Sequence, residues 1–223
     1  MLAFSKHDVF CSTTEGHWTR TGTDPDGNCF FNAYAYSIQP TAYREMDPSR
    51  RKQYVMKIKH YFANKITQED TFALIDVSFF EVFLKYMSSM YEPQYTLPDL
   101  SKQPLQSMAS YVQLLSQTHP SLVQDPQFTG RVHDIAVQYH RRMEEYIRKD
   151  GTWMFDALIP LFMKKMEVNV MIISHDTKLP ITHYPLFDYP ETIVMYHIGE
   201  HFESVGFYKQ PVMQRVFPHA SFP

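Results

Sequence analysis

Cysteine is scarce in this chain: Cys11 and Cys29 are the only two in 223 residues, and they form no Cys-x-x-Cys pair. So few exclude a disulfide framework and make a poor structural zinc site, and they fit a reducing, cytoplasmic compartment. Long apolar runs are also missing, since none approaches 18 residues, and Lys6, His7 and Asp8 stand where a signal peptide needs its apolar stretch. Neither a membrane span nor a secretory leader is expected. There is no excess of basic charge, with 21 Lys+Arg against 24 Asp+Glu and a formal net charge of −3. Such a balance does not track a phosphate backbone, so nucleic acid is not an expected partner.

Apolar and aromatic residues are plentiful, at 44% and 15% of the chain. That is enough to bury one sizeable core, and a single domain over residues 1–223 is the expected organisation, with a monomer as the default state. Asp47-Pro48 reads as an N-cap followed by proline at the first helical position. Tyr54, Val55, Ile58, Tyr61, Phe62 and Ile66 then form a one-sided stripe. A Phe-rich helical run is expected from about Glu69 to Met87, broken by a loop over Tyr91 to Leu105 that carries Pro93, Pro98 and Pro104. Val132, Ile135, Ala136, Tyr139, Met143, Tyr146 and Ile147 mark a further helix that ends before Asp150-Gly151. Thr152 is placed to cap another helix running to Met166, with Trp153 in the core and a kink or a late start at Pro160. The runs Val168 to Ile173, Thr192 to Tyr196 and Phe202 to Tyr208 read as strands. Helices first and strands last predict an α+β fold, with a small sheet built late in the sequence and flanked by helical lobes.

The most informative stretch is Asp24-Pro25-Asp26-Gly27-Asn28-Cys29-Phe30-Phe31. Turn formers give way to residues that need burial, so Cys29 should open a helix. A helix N-terminus presents unpaired N–H groups and partial positive charge, which favour a thiolate and can hold an oxyanion. Cys29 is therefore a nucleophile candidate, whereas Cys11, between Phe10 and Ser12 in a segment read as irregular, is an ordinary small residue. Such a nucleophile needs a base and a group that orients the base. Among the eleven histidines, His201 stands at the mouth of a strand with Glu203 two residues on, on the same side of that strand. His175, His183 and His197 are irregularly spaced for a metal cluster with His201, so no metal is expected.

Asp26-Gly27-Asn28-Cys29-Phe30-Phe31, Asp150-Gly151-Thr152-Trp153 with Asp156, and His201-Phe202-Glu203-Ser204-Val205 occur in that order. Together they resemble the ovarian tumour (OTU) family of cysteine proteases over about residues 22–208. The resemblance implies an OTU-like fold that hydrolyses isopeptide bonds of ubiquitin, polyubiquitin or ubiquitin-like conjugates through an acyl-enzyme thioester, with no cofactor. It implies Cys29 as nucleophile, His201 as base, Asp26 as the acid that caps the turn and shapes the oxyanion hole, and Glu203 in place of the family's usual Asn or Asp beside the histidine. Gly27, Asn28, Glu200 and Phe202 are the expected substrate-binding positions, Asn28 through its backbone. Asp176, Asp188, Glu191 and Glu200 are candidate carboxylates for an arginine-bearing substrate tail. The same elements would also suit a ubiquitin-binding pseudoenzyme, or a thiol transferase or amidase with a small substrate. A short chain of this kind would suit a viral protein or a bacterial effector acting on host ubiquitin, with a cellular enzyme as the alternative.

Overall fold

A computed structural model describes residues 7–75, 107–177, 180–181, 187–209 and 212–218. The helical run expected beyond residue 75, the loop Tyr91 to Leu105, and His183 lie outside the described residues. The chain divides into two compact units, one of residues 1–65 with 147–223 and one of residues 66–146.

The first unit is built on a mixed sheet. Its strands are β1 (His7–Ser12), β2 (His17–Thr21), β3 (Asn169–Ser174), β4 (Pro180–Ile181), β5 (Glu191–Ile198), β6 (His201–Lys209), β7 (Val212–Gln214) and β8 (Val216–Pro218). The spatial order is β1-β2-β6-β5-β3-β4, with β7 beside β6 and β8 beside β5. Among the described residues only β3 and β5 pair in parallel. All three expected strand runs are present, but the sheet also takes β1 and β2 from the N-terminal segment that had read as irregular. Sequence pattern did not reveal them because the polar His17, Thr19 and Thr21 alternate with Trp18 and Arg20, and it is the threonines that are buried.

Helix α1 (Cys29–Ile38) buries every residue from Cys29 to Ser37, as an all-round apolar helix must. It packs against β5 and β6 on one side and α3 (Pro48–Lys65) on another, following the short α2 (Pro40–Glu45). Asp47 caps α3 as expected, with Oδ1 accepting from the Arg50 N–H at 3.0 Å. Phe162, on a helix over Leu158–Met166, centres an aromatic cluster. Phe30, Tyr34 and Phe62 meet its ring edge-on at centroid distances of 5.1, 5.0 and 5.1 Å. Edge-to-face pairs of this kind add roughly 0.5–1.5 kcal/mol each to the area they bury. The Leu158 helix starts late, with Pro160 in its first turn where a missing N–H costs nothing. Residues 152–157 are therefore not helical, and Trp153 is 45% exposed rather than in the core.

The second unit is helical. It holds α4 (Gln68–Ala73), α5 (Met108–Thr118), α6 (Pro120–Val123) and most of α7 (Pro126–Arg148), after which the Leu158–Met166 helix is α8. Its core gathers Ile75, Met108, Tyr111, Leu115, Leu122 and Phe128. The expected stripe from Val132 to Ile147 lies on α7, which begins earlier because Asp125 caps the N–H groups of Gln127 and Phe128. Arg141 and Glu145 pair at 3.0 Å on its exposed face.

Candidate active site

Three segments of the first unit meet at Cys29. The turn from Asp26 to Asn28 delivers the chain into α1. Gly27 has φ +78°, and a Cβ there would stand 2.3 Å from the Gly151 carbonyl oxygen. Gly151, at φ +71°, packs its backbone against this turn. Two glycines thus let two turns touch through bare backbone, and at Gly27 a Cβ would overlap the neighbouring carbonyl. The space expected to admit substrate at Gly27 is filled by Gly151.

Asp26 Oδ1 accepts from the Asn28 N–H at 2.9 Å and from Asn32 Nδ2 at 2.9 Å. This is an Asx turn locked from α1, so Asp26 shapes the backbone before the cysteine. With the Asn28 N–H so occupied, the N–H of Cys29, first residue of α1, is left without an intrahelical acceptor and is available to an oxyanion.

Asn28, expected to act through its backbone, has a structural role in its side chain. It is 1% exposed and its side chain points inward, donating to Asp150 Oδ1 at 3.0 Å. Its Oδ1 accepts from Lys59 Nζ at 2.7 Å and from the Gly151 N–H at 3.2 Å. Lys59 is fully buried, and also donates to the Lys149 carbonyl at 2.7 Å and to Thr152 Oγ1 at 2.9 Å. Burial pushes its ammonium down to about 8, against the pull of Asp150 and Asp26. Thr152, expected to cap a helix, serves instead as a ligand of this lysine and donates back to the Lys149 carbonyl. The Lys52 ammonium and the Asn28 amide hold Asp150 below the usual carboxylate range.

Cys29 itself is 5% exposed. Burial raises its thiol pKa, and this outweighs the N–H groups of Phe202, Phe30 and Cys29 that pull it down. The expectation that the helix terminus makes a resting thiolate is therefore corrected: desolvation of the charge wins. The thiol donates to the Glu200 carbonyl at 3.9 Å, so the chain just before His201 passes over the sulfur.

His201 opens β6, and its Nε2 lies 3.3 Å from Thr23 Oγ1. Thr23 follows β2 closely. Two residues past the last β2–β6 pair, Thr21 with Ser204, it falls opposite Phe202 and donates to that carbonyl at 2.6 Å. Glu203 makes no hydrogen bond to His201. Its carboxylate turns to the Arg20 guanidinium at 3.4 Å, while Arg20 also lies over the Tyr196 ring at 5.2 Å. A β2 cation one strand away captures the longer carboxylate, so its expected role beside the histidine is not realised here. Phe202 is likewise not at a substrate face. It is buried edge-on to Phe30 at 5.4 Å and stacked on His197 at 4.6 Å. Glu200 is exposed on the turn before His201, and Asp176, Asp188 and Glu191 are exposed as well.

No family model and no curated protein matches the sequence. Solved structures do. This chain is similar to OTU domains. An OTU domain in complex with ubiquitin aligns over 98% of this chain and 84% of its own, at 12% identity and a TM-score of 0.46. The viral OTU domain protease from Farallon virus aligns over 92% and 100%, at 13% identity and a TM-score of 0.44. The one from Taggert virus aligns over 94% and 97%, at 12% identity and a TM-score of 0.37.

The tertiary structure brings Cys29, Asp26, Gly27, Asn28, Glu200 and His201 into one neighbourhood. Two members were not expected, Thr23 and Lys59. Lys59 carried a signal: it is four residues after Val55 and three before Phe62, within the apolar stripe of α3. Thr23 carried none, because its place depends on strand register. Of the other histidines, His175 Nδ1 lies 3.1 Å from the Tyr196 hydroxyl, and His197 is held against Phe202.

Proposed function

We propose that this protein is a cysteine-type deubiquitinase of the OTU kind, cleaving isopeptide bonds of ubiquitin or polyubiquitin. The observation that carries the reading is the convergence on one helix N-terminus of a buried cysteine, a histidine at the head of the neighbouring strand, and a backbone N–H with no intrahelical acceptor. In the proposed reaction the Cys29 thiol leaves the Glu200 carbonyl and passes its proton to His201. The sulfur attacks the isopeptide carbonyl, whose oxyanion rests on the Cys29 N–H. Protonated His201 then gives its proton to the departing lysine amine. Water, deprotonated by His201, releases the ubiquitin C-terminus from the thioester. Exposed Glu200, on the turn over the sulfur, suits a basic substrate tail.

The raised Cys29 thiol and the loss of Glu203 to Arg20 favour a second reading, a ubiquitin-binding pseudoenzyme. One experiment separates the two. Wild type and Cys29→Ala are incubated with a panel of di-ubiquitins and with a ubiquitin probe bearing a C-terminal electrophile. Cleavage and a probe adduct on Cys29 of wild type alone are expected. A folded wild type that binds ubiquitin yet does neither supports the pseudoenzyme; one that does not bind ubiquitin at all sinks both.

A further inference from the structure

We infer that Thr23 is the positioning residue of His201, holding its ring in the Nε2–H tautomer so that Nδ1 is the nitrogen that exchanges protons with Cys29. This rests on the reading of Cys29 and His201 as nucleophile and base, and replaces Glu203 as the third member of the site.

The argument is one of proton direction. The Thr23 hydroxyl has one proton, and the Phe202 carbonyl oxygen at 2.6 Å can only accept, so the proton lies on that line. Toward His201 Nε2 the hydroxyl then presents a lone pair, and the ring must donate from Nε2. Nδ1 is left without a proton in the neutral ring, as a general base requires. Thr23 is 1% exposed, so water does not compete for either bond. The contact of 3.3 Å is at the long end for a hydrogen bond, as resting catalytic contacts often are.

Among the described residues, three other candidates for orienting the ring have partners of their own. Glu203 pairs with Arg20, Asp26 is bound to the Asn28 N–H and Asn32, and His197 is stacked on Phe202. Position in the sheet explains why a hydroxyl suffices to fix the ring. Because β2 is hydrogen-bonded to β6 through Thr21 and Ser204, Thr23 and His201 are set by adjacent backbones rather than by a long side chain. A neutral acceptor stabilises the imidazolium less than a carboxylate does. Orientation and tautomer are therefore what Thr23 supplies.

The test is nitrogen-15 NMR of histidine-labelled protein without ubiquitin, on wild type, Thr23→Val, Thr23→Ser and Glu203→Gln. Wild type should show His201 protonated at Nε2 in its neutral form. Thr23→Val should give a mixture of tautomers, Thr23→Ser should restore the wild-type signal, and Glu203→Gln should leave it unchanged. With a ubiquitin substrate, Thr23→Val should lower kcat by about tenfold with KM little altered, and Thr23→Ser should recover most of it. A wild-type His201 protonated at Nδ1 overturns the inference with no variant needed, as does a tautomer lost in Glu203→Gln but kept in Thr23→Val. An Nε2–H tautomer in a wild type inert to every ubiquitin substrate upholds the Thr23 assignment and counts against the deubiquitinase reading alone.

Discussion

The ammonium nitrogen of Lys59 stands 2.7 Å from the side-chain oxygen of Asn28, the residue that precedes Cys29. A fully buried cation on α3 therefore fixes the turn that aims the nucleophile, and it does so with three further bonds to the segment from Lys149 to Thr152. Replacing Lys59 by Met removes a donor from the buried Asn28 side-chain oxygen and from the partly buried Lys149 and Thr152 oxygens. We expect a loss of ~2 kcal/mol of stability by urea denaturation, since weakening the bonding of a buried acceptor costs on the order of 1–3 kcal/mol, offset by relief of the buried charge. A fall in activity of about tenfold or more should accompany it through misplacement of Cys29. Unchanged activity in a folded Lys59→Met protein would remove the lysine from the site's architecture.

The same lysine gives a pH dependence whose sign is fixed. Its pKa falls from the ordinary 10.5 to about 8 on folding. Between those values the unfolded chain binds a proton that the folded chain does not, so this contribution makes stability rise with pH from about 8 to 10.5. Other groups titrate nearby, including Tyr34, which burial pushes up to about 12. The difference between wild type and Lys59→Met isolates the lysine. That difference should shift in favour of wild type between pH 8 and 10, and a flat difference would mean that Lys59 keeps its proton throughout.

Gly27→Ala should be severe. Its φ of +78° disfavours any Cβ, and that Cβ would lie 2.3 Å from the Gly151 carbonyl oxygen. A cost of at least ~2 kcal/mol is expected from conformation and overlap together. A melting temperature equal to that of wild type would contradict the close approach of the two turns.

Asp26 distinguishes a capping role from an acid role. Its Oδ1 accepts two hydrogen bonds, and an amide oxygen can accept the same two. Asp26→Asn should keep most activity and stability, while Asp26→Ala should lose ~1 kcal/mol and a larger share of activity. Equal, large losses of kcat in both variants would instead assign the carboxylate's charge to the chemistry.

Cys29 is held as a thiol by burial, which raises its pKa from the ordinary 9.0. Its alkylation by iodoacetamide, followed in a Cys11→Ser background, should climb on an alkaline limb above that value. A fast reaction with its midpoint at or below neutral pH would mean that a thiolate is already present before substrate binds.

Much of this was legible in the sequence because it depends on neighbours along the chain. The turn at Asp26-Gly27, the helix opening at Cys29, the cap at Asp47 and the strands at Asn169, Glu191 and His201 follow from turn chemistry, capping and apolar period. The α+β class followed from the order of those elements. Glu203 also lay two residues from His201, as strand geometry requires.

What the tertiary structure alone decided is which distant groups those residues meet. Register of β2 against β6 sets Thr23 beside His201 and Arg20 beside Glu203, and so exchanges the expected carboxylate for a hydroxyl. Packing of α3 beneath the Asp150-Gly151 turn brings Lys59 to Asn28, turning a residue read for its backbone into the anchor of the site. Burial, too, belongs to the folded state, and it reversed the sign expected for Cys29. Sequence period determines the face on which a side chain lies; strand register and desolvation, both sums over the whole fold, determine its partner and its charge.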